Sequence, residues 1–136
     1  MLSSMMQRAW RALAGGVLLL AGSCAAGQSQ RVVVADLRPL MLAALDSADG
    51  TALGEIRGDL YRAVAGPLGL STPLLLDIRT LLRYRQPGCA RLLLHFHQEG
   101  VRASLGQAAG PRAMDATINY CRDGRPPAAL TPAEGP

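Results

Sequence analysis

At 136 residues the chain holds one domain at most, with room for a modest hydrophobic core. Its basic residues are fourteen arginines and no lysine, set against ten scattered acids, and the formal net charge is +4. Loss of an N-terminal segment carrying Arg8 and Arg11 leaves twelve arginines and a charge of +2, too weak an electrostatic footprint for a nucleic-acid binder, so no nucleic-acid partner is expected.

Residues 1–27 have the three-part form of a secretory signal. Arg8 and Arg11 supply the positive region, and Ala12 to Gly22 form a short apolar run. Ser23-Cys24-Ala25-Ala26-Gly27 is a small-residue cleavage zone ahead of Gln28. The apolar run falls well short of the roughly 20 residues that span a bilayer. Cleavage and export to the periplasm of a Gram-negative bacterium are therefore expected. Ala21-Gly22-Ser23-Cys24 also approximates a lipobox, with Ala21 where a large aliphatic is usual. The alternative is thus lipidation at Cys24, as in a surface or entry-exclusion-type lipoprotein. The signal, or a lipid on Cys24, is the only membrane contact expected.

The folded domain is expected over 28–125. Val32, Val33 and Val34 are a β-branched run that reads as a first or edge strand. Leu37, Leu40, Met41, Ala44 and Leu45 then fall at helical spacing, with Asp36 at the N-cap and Pro39 in the first turn. Asp46 to Gly50 is a loop. Asp59 to Ala65 reads as a second helix ended by Gly66-Pro67. Residues 54–58, with two glycines, are either its first half or a strand. Pro73 to Arg79, with Leu74, Leu75, Leu76 and Ile78, has the length and apolarity of a buried strand.

From Arg91 to His97 the pattern changes to a period of two. Leu92, Leu94 and Phe96 lie on one side, Leu93, His95 and His97 on the other. With Glu99-Gly100 as a two-residue turn, a hairpin register follows in which Gln98 faces Val101, Phe96 faces Ala103 and Leu94 faces Leu105. His97 is then opposite Arg102, and His95 opposite Ser104. Met114 to Cys121 alternates again and supplies another strand. The expected class is α+β: one or two N-terminal helices packed on a small antiparallel β-sheet closed by one disulfide. Export leaves Cys89 and Cys121 as an even pair in an oxidising compartment, where they are expected to bond. Residues 126–136, rich in proline and without periodicity, are expected to be a disordered tail.

Catalytic constellations are absent from the sequence: it has no Gly-x-Ser-x-Gly elbow, no lysine for a Ser-x-x-Lys pair and no phosphate-cradling glycine loop. His95 and His97 share one strand face and could chelate a metal or serve a small hydrolase. A zinc site needs further ligands, however, and Arg102 in the expected register opposes a metal. A solvated strand face is the simpler reading, so no enzyme activity, cofactor or metal is expected. Tyr120, Arg122 and Arg125 could form a peptide-binding rim, although an Asp123-Gly124 turn and a proline stop explain the same residues.

Pro87-Gly88-Cys89-Ala90-Arg91-Leu92, Gln98-Glu99-Gly100-Val101 and Asn119-Tyr120-Cys121-Arg122-Asp123-Gly124-Arg125-Pro126-Pro127 resemble segments of small exported proteins encoded in proteobacterial conjugative-transfer and type IV secretion gene clusters. The resemblance covers about the last half of the exported chain. It implies a periplasmic accessory or structural role in DNA-transfer machinery, with protein partners in a cell-envelope assembly, and it assigns no activity to any residue.

Overall fold

The computed structural model describes residues 30–135; the expected signal segment and Cys24 lie outside them. The elements follow in the order β1 (Val32–Val34), α1 (Arg38–Asp46), β2 (Thr51–Ile56), α2 (Gly58–Ala65, continued by a 3-10 turn at Gly66–Leu68), β3 (Leu74–Arg83), β4 (Cys89–Val101) and β5 (Gly110–Cys121). The strands form one sheet in chain order, β1-β2-β3-β4-β5. The class is α+β, with two refinements. The sheet is mixed, because β1 runs parallel to β2 while every other pair is antiparallel. The helices follow β1 and β2 rather than preceding the strands. A parallel pair needs a crossover, and α1 supplies it. The ambiguous glycine stretch is strand through Ile56, and the second helix starts only at Gly58. No helix among the described residues is long and apolar enough to cross a membrane.

Leu40, Met41, Ala44 and Leu45 form the buried stripe of α1, which rests on Ile56, Leu74, Leu76, Ile78, Ala90, Leu92, Leu94 and Tyr120 of the sheet. These strand residues are even-numbered in every case, so the pleat sends them all to one face. Gly54 makes the close approach of α1 possible. A Cβ there would lie 2.2 Å from Leu40 Cδ1, so any larger residue would force the buried Leu40 side chain to move. Farther along, Tyr61 donates a hydrogen bond to the Thr72 carbonyl at 2.8 Å, and the buried Gln98 amide donates to the same oxygen at 2.9 Å. Together they tie α2 and β4 to the segment that enters β3.

The structure corrects the hairpin register. β4 does not turn at Glu99-Gly100 but continues to Val101, and its partner is β5, paired in one unbroken register from Cys89↔Cys121 to Gln98↔Arg112. Gly100, at φ 72°, sits in a bulge: two residues, Glu99 and Gly100, oppose Pro111 alone between Gln98↔Arg112 and Val101↔Gly110. A glycine of positive φ is the residue this kind of bulge favours, and Pro111 brings no N–H to the interrupted ladder. Residues 102–109 form the connection, and Leu105 is fully exposed. The local hairpin offered only a few pairs. The alternative ladder has ten, a bonded cysteine pair and a central apolar row, and it prevails.

Cys89 and Cys121 form the disulfide. With Tyr84 and Leu82 they make a small second cluster on the sheet's other face. Residues 126–135, expected to be disordered, lie along the end of β3. Arg85 N donates to the Thr131 carbonyl at 2.8 Å, Ala133 N to the Arg83 carbonyl at 2.9 Å, and Ala128 N to Gln86 Oε1 at 2.8 Å. β2 ends opposite Arg79, which leaves the last turns of β3 with free backbone groups, and the tail satisfies them.

Candidate functional site

Both helices pack on the even-numbered face, so the odd-numbered face of β2–β5 is open. The register sets its side chains in three rows across the sheet. Glu55, Leu75, His97 and Ala113 form the first row; Leu53, Asp77, His95 and Asp115 the second; Thr51, Arg79, Leu93 and Thr117 the third. A shallow groove follows the second and third rows, lined by Thr51, Leu53, Asp77, Arg79, Leu93, His95 and Asp115.

Asp77 is the hub of this face. Arg31, just ahead of β1, reaches over β2, with its guanidinium 3.3 Å from the Gly54 carbonyl and 2.5 Å from Asp77 Oδ1. His97 Nε2 lies 3.5 Å from Asp77 Oδ2, and that nitrogen is buried without a hydrogen bond. Partial burial of Asp77 disfavours its charge. The Arg31 hydrogen bond and charge, supported by His97, outweigh that cost and hold the carboxyl below its ordinary pKa. Beside this pair, His95 Nδ1 is 2.5 Å from Asp115 Oδ1, and the two imidazole centroids are 5.3 Å apart. At the edge, Glu55 has the Arg57 guanidinium as a charge partner, although its Oε1 gains no properly aligned hydrogen bond.

His95 and His97 therefore share a face as the alternation predicts, but their cross-strand neighbours are Asp115 and Ala113, not Ser104 and Arg102. Each histidine has a carboxylate beside it, Asp115 directly opposite His95 and Asp77 diagonal to His97. Among the described residues, no three of His, Cys, Asp and Glu are disposed to hold a metal. Chemically, the face offers hydrogen-bonding and charged groups fixed in position, with half-buried leucines between them. Asp77, Arg31 and Asp115 escaped sequence reasoning, because only strand register reveals what stands beside a histidine. The one available signal was polar residues, Asp77 and Arg79, alternating with Leu76 and Ile78 in an otherwise apolar run.

The rim of Tyr120, Arg122 and Arg125 does not form. Tyr120 is buried on the helix-covered face. Arg122 makes a two-pronged ion pair with Asp46 at the end of α1, one contact at 3.0 Å. The pairing lowers the Asp46 pKa and raises that of Arg122. Arg125 belongs to the turn: its carbonyl accepts from Cys121 N, and its N–H donates to Asp123. Turn chemistry thus accounts for this string, and the same residues clip the strand end to α1. Cys24 lies outside the described residues.

Comparison of the chain with protein-family models, with curated proteins and with solved structures finds no match.

Proposed function

We propose that the chain is a non-enzymatic, exported interaction protein that presents the open face of its sheet to a protein partner in the cell envelope. The observation that carries this reading is the one-sided packing. The helices cover only the even-numbered face, while half-buried Leu53, Leu75 and Leu93 stand among the Arg31–Asp77 ion pair and the His95–Asp115 contact on the other. A mixed surface of about this polarity is what non-obligate protein interfaces use. The disulfide fits an oxidising compartment, and the periplasm is the location that the signal sequence favours. An accessory role in a conjugative-transfer or type IV secretion assembly is what the resemblance adds.

A second reading has its own observation. The adjoining pairs His95–Asp115 and His97–Asp77 are the base half of a hydrolytic dyad, and Thr51 and Thr117 are the hydroxyls on the same face. One experiment separates the two. A photo-crosslinking residue is placed at Arg79 or Leu93 in the exporting cell, with Ala43, on the exposed side of α1, as control. The interaction reading expects a crosslink to one envelope protein from the first two positions and none from Ala43. Absence of any such product, together with a hydrolytic activity lost in the His95→Ala, His97→Ala variant, would replace it with the second reading.

A further inference from the structure

Among the described residues the outer side of β5 is a free sheet edge. Cys89 and Cys121 face each other with Cα atoms 4.0 Å apart, and Arg122 N donates to the Gly88 carbonyl. Both features mark Cys89↔Cys121 as a narrow, non-hydrogen-bonded pair of an antiparallel ladder. Because the register is unbroken to Gln98↔Arg112, the alternation runs the whole way. Even-numbered residues of β5 bond to β4. Ala113, Asp115, Thr117 and Asn119 direct their N–H and C=O groups outward. Cys121, next in that series, already spends its outward groups on Gly124 and Arg125. Among the described residues no segment pairs with the other four.

The usual protections of such an edge are missing over this stretch. It has no bulge, proline or lysine from Arg112 to Asn119, and Asp115 is turned onto the open face toward His95. A long regular edge of this kind is a template for another strand. On the helix-covered side it carries two exposed apolar side chains, Met114 (63% exposed) and Ile118 (40%).

From this geometry we infer that two copies of the chain associate through β5, antiparallel about a two-fold axis at Ala116, into one continuous sheet. The register is set by the edge itself. Only with Ala116 opposite Ala116 do all four outward residues find one another: Ala113 meets Asn119 of the second copy, and Asp115 meets its Thr117. This gives about eight backbone hydrogen bonds. Shifting the axis by one residue to Asp115 would set two like charges opposite each other and leave Asn119 unpaired. In the Ala116 register Met114 of each copy lies beside Ile118 of the other. Their apolar surface is then covered next to the groove that Val64, Leu68 and Phe96 line with Met114. A symmetric pair also closes the edge and prevents further growth. The inference is independent of what the open face binds.

The test uses the oxidised, full exported chain. Sedimentation over a dilution series should give twice the monomer mass. Thr117→Pro, which removes one outward N–H and no bond to β4, should shift the protein to monomer at concentrations where the parent is dimeric. An Ala116→Cys variant keeps the native disulfide and should crosslink to a dimer on mild oxidation, because the two-fold brings its Cα atoms to about 4.5 Å. An Ala113→Cys variant should not. A parent that is monomeric at every concentration, with no crosslink at position 116, overturns the inference. So does crosslinking at position 113 but not at 116, or an edge found occupied by a different polypeptide.

Discussion

Cys89 and Cys121 stand directly opposite each other in the β4–β5 ladder, at the end where they form a buried cluster with Tyr84. Their bond joins residues 32 apart in sequence. It also anchors the register that places His95 beside Asp115 and leaves the outer edge of β5 regular. Tyr84 donates to Asn119 Oδ1 at 2.6 Å and Arg91 Nε to the same oxygen at 3.1 Å, so the anchored end is cross-braced by side chains as well.

Closing a loop of that length stabilises a fold by about 3–4 kcal/mol in the chain-entropy treatment. A Cys89→Ala, Cys121→Ala variant should therefore lose about that much in denaturant unfolding, a large share of the total for a domain of this size. A variant with the parent's unfolding midpoint would show that the ladder needs no staple.

The corrected register separates two leucines that the local hairpin would have put on one apolar face. Leu92 is fully buried under α1, whereas Leu105 projects into solvent from the β4–β5 connection. Leu92→Ala should destabilise the protein by about 2–5 kcal/mol, and Leu105→Ala by less than about 0.5 kcal/mol. Comparable losses at both positions would restore the hairpin of residues 91–105.

Acid should act partly through Asp77. Its carboxyl titrates below the ordinary value in the folded protein because Arg31 and His97 favour the charged form over the opposing effect of burial. The stabilisation is therefore complete above the unfolded-state pKa of about 3.9 and is lost as pH falls through the lower folded value. Asp46 and Asp49 are shifted the same way and share the acid limb. Thermal melts of the parent should fall more steeply below about pH 4 than those of Asp77→Asn. Parallel curves would mean that the Arg31–Asp77 contact carries no linkage.

The sequence alone determined the local features. Periodicity located α1, the strand at Met114–Cys121 and the even-numbered apolar face of β4, and a β-branched run marked the strand at Val32–Val34. The even pair of cysteines that the expected export signal leaves sufficed to pair Cys89 with Cys121. These follow from spacing and composition, because a side chain's face depends only on its neighbours in the chain. The partner of each strand was decided by the tertiary structure. A glycine at positive φ serves a tight turn and a bulge equally well, so Gly100 could not announce which it makes, and the competition between a short local ladder and a longer distant one depends on the whole sheet. For the same reason the carboxylates beside His95 and His97, the burial of Tyr120 and the docking of residues 126–135 were invisible in the sequence. Each arises from residues far apart in the chain, brought together by burial of the α1 stripe on one face of the sheet.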